Sequence, residues 1–279
     1  MSKEIRSITN PRWPSGIRLP VVLTFEHQSG EGAPLLPGDR PNAMVGGAMQ
    51  YGGRTGIWNI LELLDKLNVK STFLVCGITA EKYPDAIRAA HKAGHEIAGM
   101  SYSFERVRTA SPERERAMVS RTVKVLADVC GAKIKGWRCP DYRVSPQTLD
   151  ILSGEGFVWD SSLLNDDYPS LFECSAGNMV ELPFTTSTAD KTFIGYPYPM
   201  RGGPDGLADV WNSEFDVLYR ESDRAARFMI LSIQTWATGR PAPLRTLKHF
   251  IERVTIHNDA CFARCCDIAD WCNEDNSKS

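Results

Sequence analysis

The chain reads as an α/β protein, a single domain of repeated strand–helix units closed into a barrel. Three observations carry that expectation. Short apolar runs of strand length recur along the chain, amphipathic helical patterns lie between most of them, and no Gly- or Pro-rich break, internal repeat or low-complexity segment divides the series. Strand and helix in alternation imply parallel βαβ connections. Seven or eight such units are enough to close, or nearly close, a barrel spanning residues 1–279 with its core at about 18–272.

The strand runs are VVLTF at 21–25, STFLVCG at 71–77, EIAGM at 96–100, KIKGWRC at 133–139, FVWDSS at 157–162, VELPF at 180–184, FMILSIQTW at 228–236 and ACFAR at 260–264. Three apolar stripes at helical spacing lie between them. They are Ile57, Ile60, Leu61, Leu64 and Leu67; Met118, Val119, Thr122, Val123, Leu126 and Val129; and Leu244, Leu247, Phe250, Ile251 and Val254. Ser111 before Pro112, and Ser145 before Pro146, fit helix N-cap and first-turn positions. Residues 28–54 and 185–215 are poorly patterned and follow strands, as loops over the carboxyl face of a barrel do.

The chain is 42% hydrophobic and 24% charged with a net charge of −2, which gives no electrostatic reason to expect nucleic acid or an anionic membrane as partner. Its longest apolar runs, Leu19 to Phe25 and Phe228 to Ile233, fall far short of the roughly 20 residues that span a bilayer. The start, MSKEIRSITNPRW, has no apolar signal region, so a cytoplasmic location and reduced thiols are expected. Cys261, Cys265, Cys266 and Cys272 cluster behind His257 and invite a metal reading, but their spacing fits no common zinc template. The alternation in ACFARC and the helical CDIADWC favour thiols buried as small apolar groups.

Residues at the carboxyl ends of parallel strands line the mouth of a barrel. Here these are Glu26 and His27, Cys76, Met100 and Tyr102, Arg138, Asp160, Thr185, and Gln234 with Trp236. Glu26 and His27 are the most chemically loaded pair: a carboxylate can activate water, and an imidazole can share a proton or orient a carbonyl. The plainer alternative pairs Glu26 with Arg138 or Arg54 and leaves His27 to cap the loop. Asp160 is read equally as a site residue and as an anchor for neighbouring backbone. His95 is expected at a strand start, away from the mouth, and Asp166 and Asp167 as turn formers.

The words TFEH, AGHEIAGMSYSF, GWRCPDYRVSPQTLDILSGEGFVWDSSL and GRPAPLRTLKHFIERV resemble, in order and spacing, the polysaccharide deacetylase (NodB homology, carbohydrate esterase family 4) superfamily. YGGRTGIWNILELLDKL, DSSLLNDDYP and DVWNSEFDVLYRES resemble its cytoplasmic allantoinase-like and cyclic imide hydrolase branch. That resemblance implies a distorted (β/α)7 barrel, hydrolysis of C–N bonds in small cyclic amides, and a homo-oligomer such as a tetramer. It also implies a metal triad, an aspartate after the first strand and two histidines after the third, at places that here hold His27, Met100 and Phe104. A thioether and a phenyl ring do not replace two imidazoles, so no metal and no other cofactor is expected. Gln234 stands where the superfamily's acid histidine is expected, and an amide transfers no proton near neutral pH.

Two readings follow. Either the substrate, a cyclic amide, imide or related carbonyl compound, is reactive enough for Glu26 as base, with His27 beside it and Arg138 or Arg54 at the oxyanion, or the fold survives as a catalytically silent binder of a small molecule or partner. The retained polar residues Arg54, Tyr102, Arg138, Asp160, Gln234 and Trp236, able to orient a small heterocycle, favour catalysis.

Overall fold

In the computed structural model, residues 5–8, 11–31, 43–195 and 202–276 are described. Ten strands form one sheet: β1 (Ile5–Ser7), β2 (Leu19–His27), β3 (Thr72–Val75), β4 (Glu96–Gly99), β5 (Gly136–Trp137), β6 (Trp159–Asp160), β7 (Ser170–Cys174), β8 (Gly177–Glu181), β9 (Met229–Gln234) and β10 (Ala260–Ala263). The neighbours run β1-β7-β8-β6-β5-β4-β3-β2-β10, with β9 alongside β2. Every pairing is parallel except those of β7 with β1 and with β8. No ladder joins β8 to β9 among the described residues, so the sheet curls into a barrel with one open seam. This is the expected distorted (β/α) barrel.

β2 is the axis of the fold. All nine of its residues are buried, as a parallel strand covered on both faces must be. Its alternation sorts them into two layers. Leu19, Val21, Leu23 and Phe25 pack outward in the large cluster with helix residues such as Ile57, Ile60 and Leu247, while Val22 packs inward with Leu74, Ala98, Trp159, Ile230 and Cys265. The polar members Thr24 and Glu26 share the inward parity of Val22. The lumen is thus apolar at its base and polar at its carboxyl mouth.

The expected helical stripes fall in helices Ile57–Lys66, Pro112–Cys130 and Pro241–Thr255. Ser111 caps the second of these by accepting from the Arg114 N–H. At Ser145 the expectation shifts: the α-helix begins at Thr148, and the Ser145 hydroxyl instead donates to the buried Glu115 carboxylate. The stretch expected as a loop through 215 contains a 19-residue helix, Gly203–Glu221, and residues 43–56 are helical too. The remainder of the two poorly patterned stretches, 32–42 and 196–201, lies outside the described residues.

The strand expected at 180–184 is the second arm of a hairpin. β7 and β8 pair antiparallel around a turn closed by Gly177 at φ +133°, and β1 extends that edge. Cys265 and Cys272 are fully buried in the inner apolar cluster. Asp166 accepts from the N–H groups of Asp167 and Tyr168, as a turn former does. Among the described residues no helix is long and apolar enough to cross a membrane.

Candidate active site

Glu26 sits at the carboxyl end of β2, almost fully buried at 3% exposure. Ser232 donates to its Oε1 at 2.7 Å and the Gln234 side-chain amide donates to its Oε2 at 2.5 Å, both from β9, the parallel neighbour in which Gln234 stands directly beside Glu26. The Arg138 guanidinium lies 3.6 Å from Oε1. Gln234 is itself fixed, its Oε1 accepting from Gln28 Nε2 at 3.0 Å and from Trp236 Nε1 at 3.2 Å. Each carboxylate oxygen therefore has an assigned donor, and the carboxylate is aimed by side chains that cannot turn independently.

Arg138 is wholly buried. Its Nε donates to Ser161 O, Nη1 to Thr24 Oγ1 and Nη2 to Ser161 Oγ, and the Phe184 ring covers the guanidinium face at 4.4 Å. These bonds tie β2, β5 and the end of β6 together around Glu26. Arg138 thus sets its charge beside the carboxylate while three of its five N–H groups are held by Thr24 and Ser161.

Asp190 closes the other side. Both of its oxygens accept from the Gln234 backbone N–H and one also accepts from the Thr238 hydroxyl. Burial, with the charge of Glu26 adding to it, pushes its pKa up to about 7 against the pull of those hydrogen bonds. A carboxyl raised in the folded state favours the protonated form there. The associated stability is complete below the unfolded value near 4 and is lost as pH rises through about 7. Against Asp190→Asn, which stays neutral, the wild-type protein is expected to lose up to about 4 kcal/mol between pH 4 and pH 8 in denaturant melts. Parallel pH profiles for the two proteins would refute this.

Two residues without a signal in the periodic pattern complete the mouth. Lys191, in the turn Asp190–Thr192, keeps 30% of its side chain exposed and lies 3.8 Å from Asp141 and 4.6 Å from the Tyr142 ring centre. Burial works against its charge, but Glu26, Tyr142 and Asp141 outweigh it and leave its pKa above the ordinary lysine value. Tyr142 packs edge-on against Phe184 at 4.5 Å. Asp141 and Tyr142 both adopt left-handed backbone, φ 49° and φ 60°, at roughly 1–2 kcal/mol each for non-glycine residues. Arg106 holds Asp141 there through an ion pair at 2.6 Å. The word PDYR carried a signal for this turn in its proline and aspartate; Lys191 carried none.

Of the residues expected at the mouth, Glu26, Arg138, Gln234 and Trp236 converge, and Met100 joins the inner cluster that contains Phe184. Cys76 joins the same cluster and Thr185 caps the turn Thr186–Thr188, while His27, Tyr102, Asp160 and the further candidate Arg54 are placed elsewhere. His27 follows Glu26 and therefore points to the opposite face of β2, where Nδ1 meets Thr235 Oγ1 at 3.0 Å and burial lowers the pKa to about 3, so the ring is neutral. Arg54 is exposed on the π-helical turn Gly52–Gly56, reaching Gly47 O at 3.5 Å. Tyr102 leans outward, its hydroxyl donating to Glu81 and accepting from Arg121. Asp160 lies between Trp159 and Ser161, which face inward, so it faces outward beside Glu181. Burial raises both carboxyls, and the charge of Asp160 raises Glu181 further. Asp160 accepts from the Ser162 N–H and hydroxyl, the anchoring role that was the alternative for it.

Comparison with known proteins bears on this arrangement. The polysaccharide deacetylase family model matches residues 38–158. A putative polysaccharide deacetylase from Mycobacterium smegmatis superimposes with a TM-score of 0.88 at 27% identity, covering 98% of this chain and 96% of that one. In fold over its whole length, and in sequence over residues 38–158, the chain is similar to polysaccharide deacetylases. The Puue allantoinase structure also matches, with a TM-score of 0.85 at 27% identity over 94% of this chain and 92% of that one. The peptidoglycan deacetylase of Helicobacter pylori is 23% identical over 79% of this chain and 84% of its own.

The superfamily's metal does not fit the residues present. At the three ligand places, His27 is turned to the outer face of the sheet, Met100 is packed in the inner apolar cluster and Phe104 packs against that cluster. Among the described residues no group of three or more His, Cys, Asp or Glu side chains is arranged to hold a metal ion.

Proposed function

We propose that this protein hydrolyses the C–N bond of a small cyclic amide, imide or related carbonyl compound, with Glu26 as general base and without a metal ion. The observation that carries the reading is the carboxylate itself. Glu26 keeps the strand-end position of the superfamily's base and is held in one orientation by Ser232, Gln234 and Arg138, although the residues at the metal places are no longer ligands. Buried, oriented carboxylates with charged neighbours mark functional sites.

In this reading Glu26 takes a proton from water, and the resulting hydroxide adds to the substrate carbonyl. The sequence expectation gave the oxyanion to Arg138 or Arg54. We favour Lys191 instead, since three of the Arg138 N–H groups are bound to Thr24 and Ser161 while exposed Arg54 reaches Gly47 O. His27 serves the fold. A strained or electron-poor ring needs less Lewis-acid assistance than an N-acetyl amine, which fits a donor set unsuited to zinc. A homo-oligomer in solution is part of the proposal.

The test is a panel of hydantoins, cyclic imides, lactones and acetylated sugars, assayed before and after exhaustive chelation, with elemental analysis of the same sample. Turnover of a cyclic amide or imide that survives chelation is the expected result. Loss of that turnover with the chelator, or about one metal per chain in the active sample, would overturn metal independence. Tight binding of one compound without turnover would establish the silent-binder reading.

A further inference from the structure

Resting on the hydrolase reading, we infer that the Tyr142 hydroxyl is the proton donor to the leaving nitrogen and that Lys191 replaces the proton it gives up. The need for a donor arises from Gln234. It occupies the acid position, carries no transferable proton, and has its amide bound to Glu26, Gln28 and Trp236. Breaking a C–N bond at neutral pH requires protonation of the nitrogen, so another group has to supply it.

Three independent features single out Tyr142. Its hydroxyl is buried and lies within hydrogen-bonding reach of the Lys191 side chain, the group that would return its proton. Its backbone, with that of Asp141, is left-handed at two successive non-glycine residues, a strained arrangement found where a side chain must be aimed. Finally, it lies directly beside a cation. The charge of Glu26 acts on both Tyr142 and Lys191, and the Lys191 ammonium lies over the Tyr142 ring. Asp141 links this unit to Arg106, which fixes the turn from outside the mouth.

The step balances without a co-reactant. Water loses one proton to Glu26 and forms a C–O bond. The tetrahedral intermediate collapses with cleavage of C–N, the electron pair staying on nitrogen, which takes the Tyr142 proton. Lys191 reprotonates the phenolate, and the proton on Glu26 returns to Lys191 through water, leaving a carboxylic acid and an amine.

The test uses two substrates and one titration. On the cyclic imide or amide from the panel, Tyr142→Phe is expected to lower kcat about 100-fold with little change in KM. On 4-nitrophenyl acetate, whose phenolate leaves without a proton, the loss should stay below about threefold, whereas Glu26→Gln should lower both. In ultraviolet titration, the phenolate signal missing from Tyr142→Phe should move to higher pH in Lys191→Met, because the cation that favours the phenolate is gone. Equal losses on both substrates would make Tyr142 a structural residue, and an unmoved titration would exclude Lys191. If Glu26→Gln silences the imide and Tyr142→Phe does not, only the donor assignment falls; if nothing in the panel is hydrolysed, the donor and the hydrolase reading fall together.

Discussion

Glu26→Gln is expected to lower turnover by roughly 10²–10⁴-fold, the range for loss of a general base. The substitution preserves length and shape, but the local network makes it more than a deleted charge. Ser232 and Arg138 face Oε1 and the Gln234 amide faces Oε2. A Gln at 26 keeps one oxygen for the first two and offers an NH2 group toward the Gln234 NH2. Gln234 would have to flip to accept from it, and would then turn a donor group toward Gln28 Nε2 and Trp236 Nε1. That leaves buried donors unpaired, at about 1–3 kcal/mol. The variant should therefore remain folded with a measurably lower melting temperature while kcat collapses. Turnover at the wild-type rate would remove Glu26 from the mechanism and favour the silent binder.

Arg138→Met is expected to destabilise the fold by about 3–5 kcal/mol, the scale for breaking a buried charge pair from one side. Methionine fills much of the volume against Phe184 but returns none of the bonds to Thr24, Ser161 O and Ser161 Oγ, and it leaves Glu26 without a cation in the lumen. Stability measured by denaturant should fall, and activity should fall with it. If Arg138→Met instead melts within about 1 kcal/mol of wild type, the guanidinium is not what holds the three strand ends together.

Much of this was legible in the sequence because strand physics is local. A nine-residue run as apolar as LPVVLTFEH is stable only between two covered faces, and its end has to meet the ends of the other parallel strands. That places Glu26 beside Gln234, 208 positions away. The same rule, taken one residue further, removes His27 from the mouth and Asp160 from the lumen, since adjacent strand residues face opposite ways; at a strand end, where a chain may leave the sheet at either residue, only coordinates show where the alternation stops. The hairpin of β7 and β8 escaped notice because its two arms are short and one of them looks like a complete strand alone.

From its residues alone, the chain determined its α/β class and a carboxylate at the end of its first strand, both of which depend on periodicity, while the absence of imidazoles at two ligand places rested on the family resemblance. Tertiary structure decided the rest. Lys191 and Tyr142 lie in irregular turns with no repeat to announce them, and the charge of Glu26 acts on both only because the curled sheet brings its strand ends together. Which hydroxyls and carbonyls surround Arg138 was likewise a tertiary matter, since they belong to strands distant in sequence, where no local rule operates.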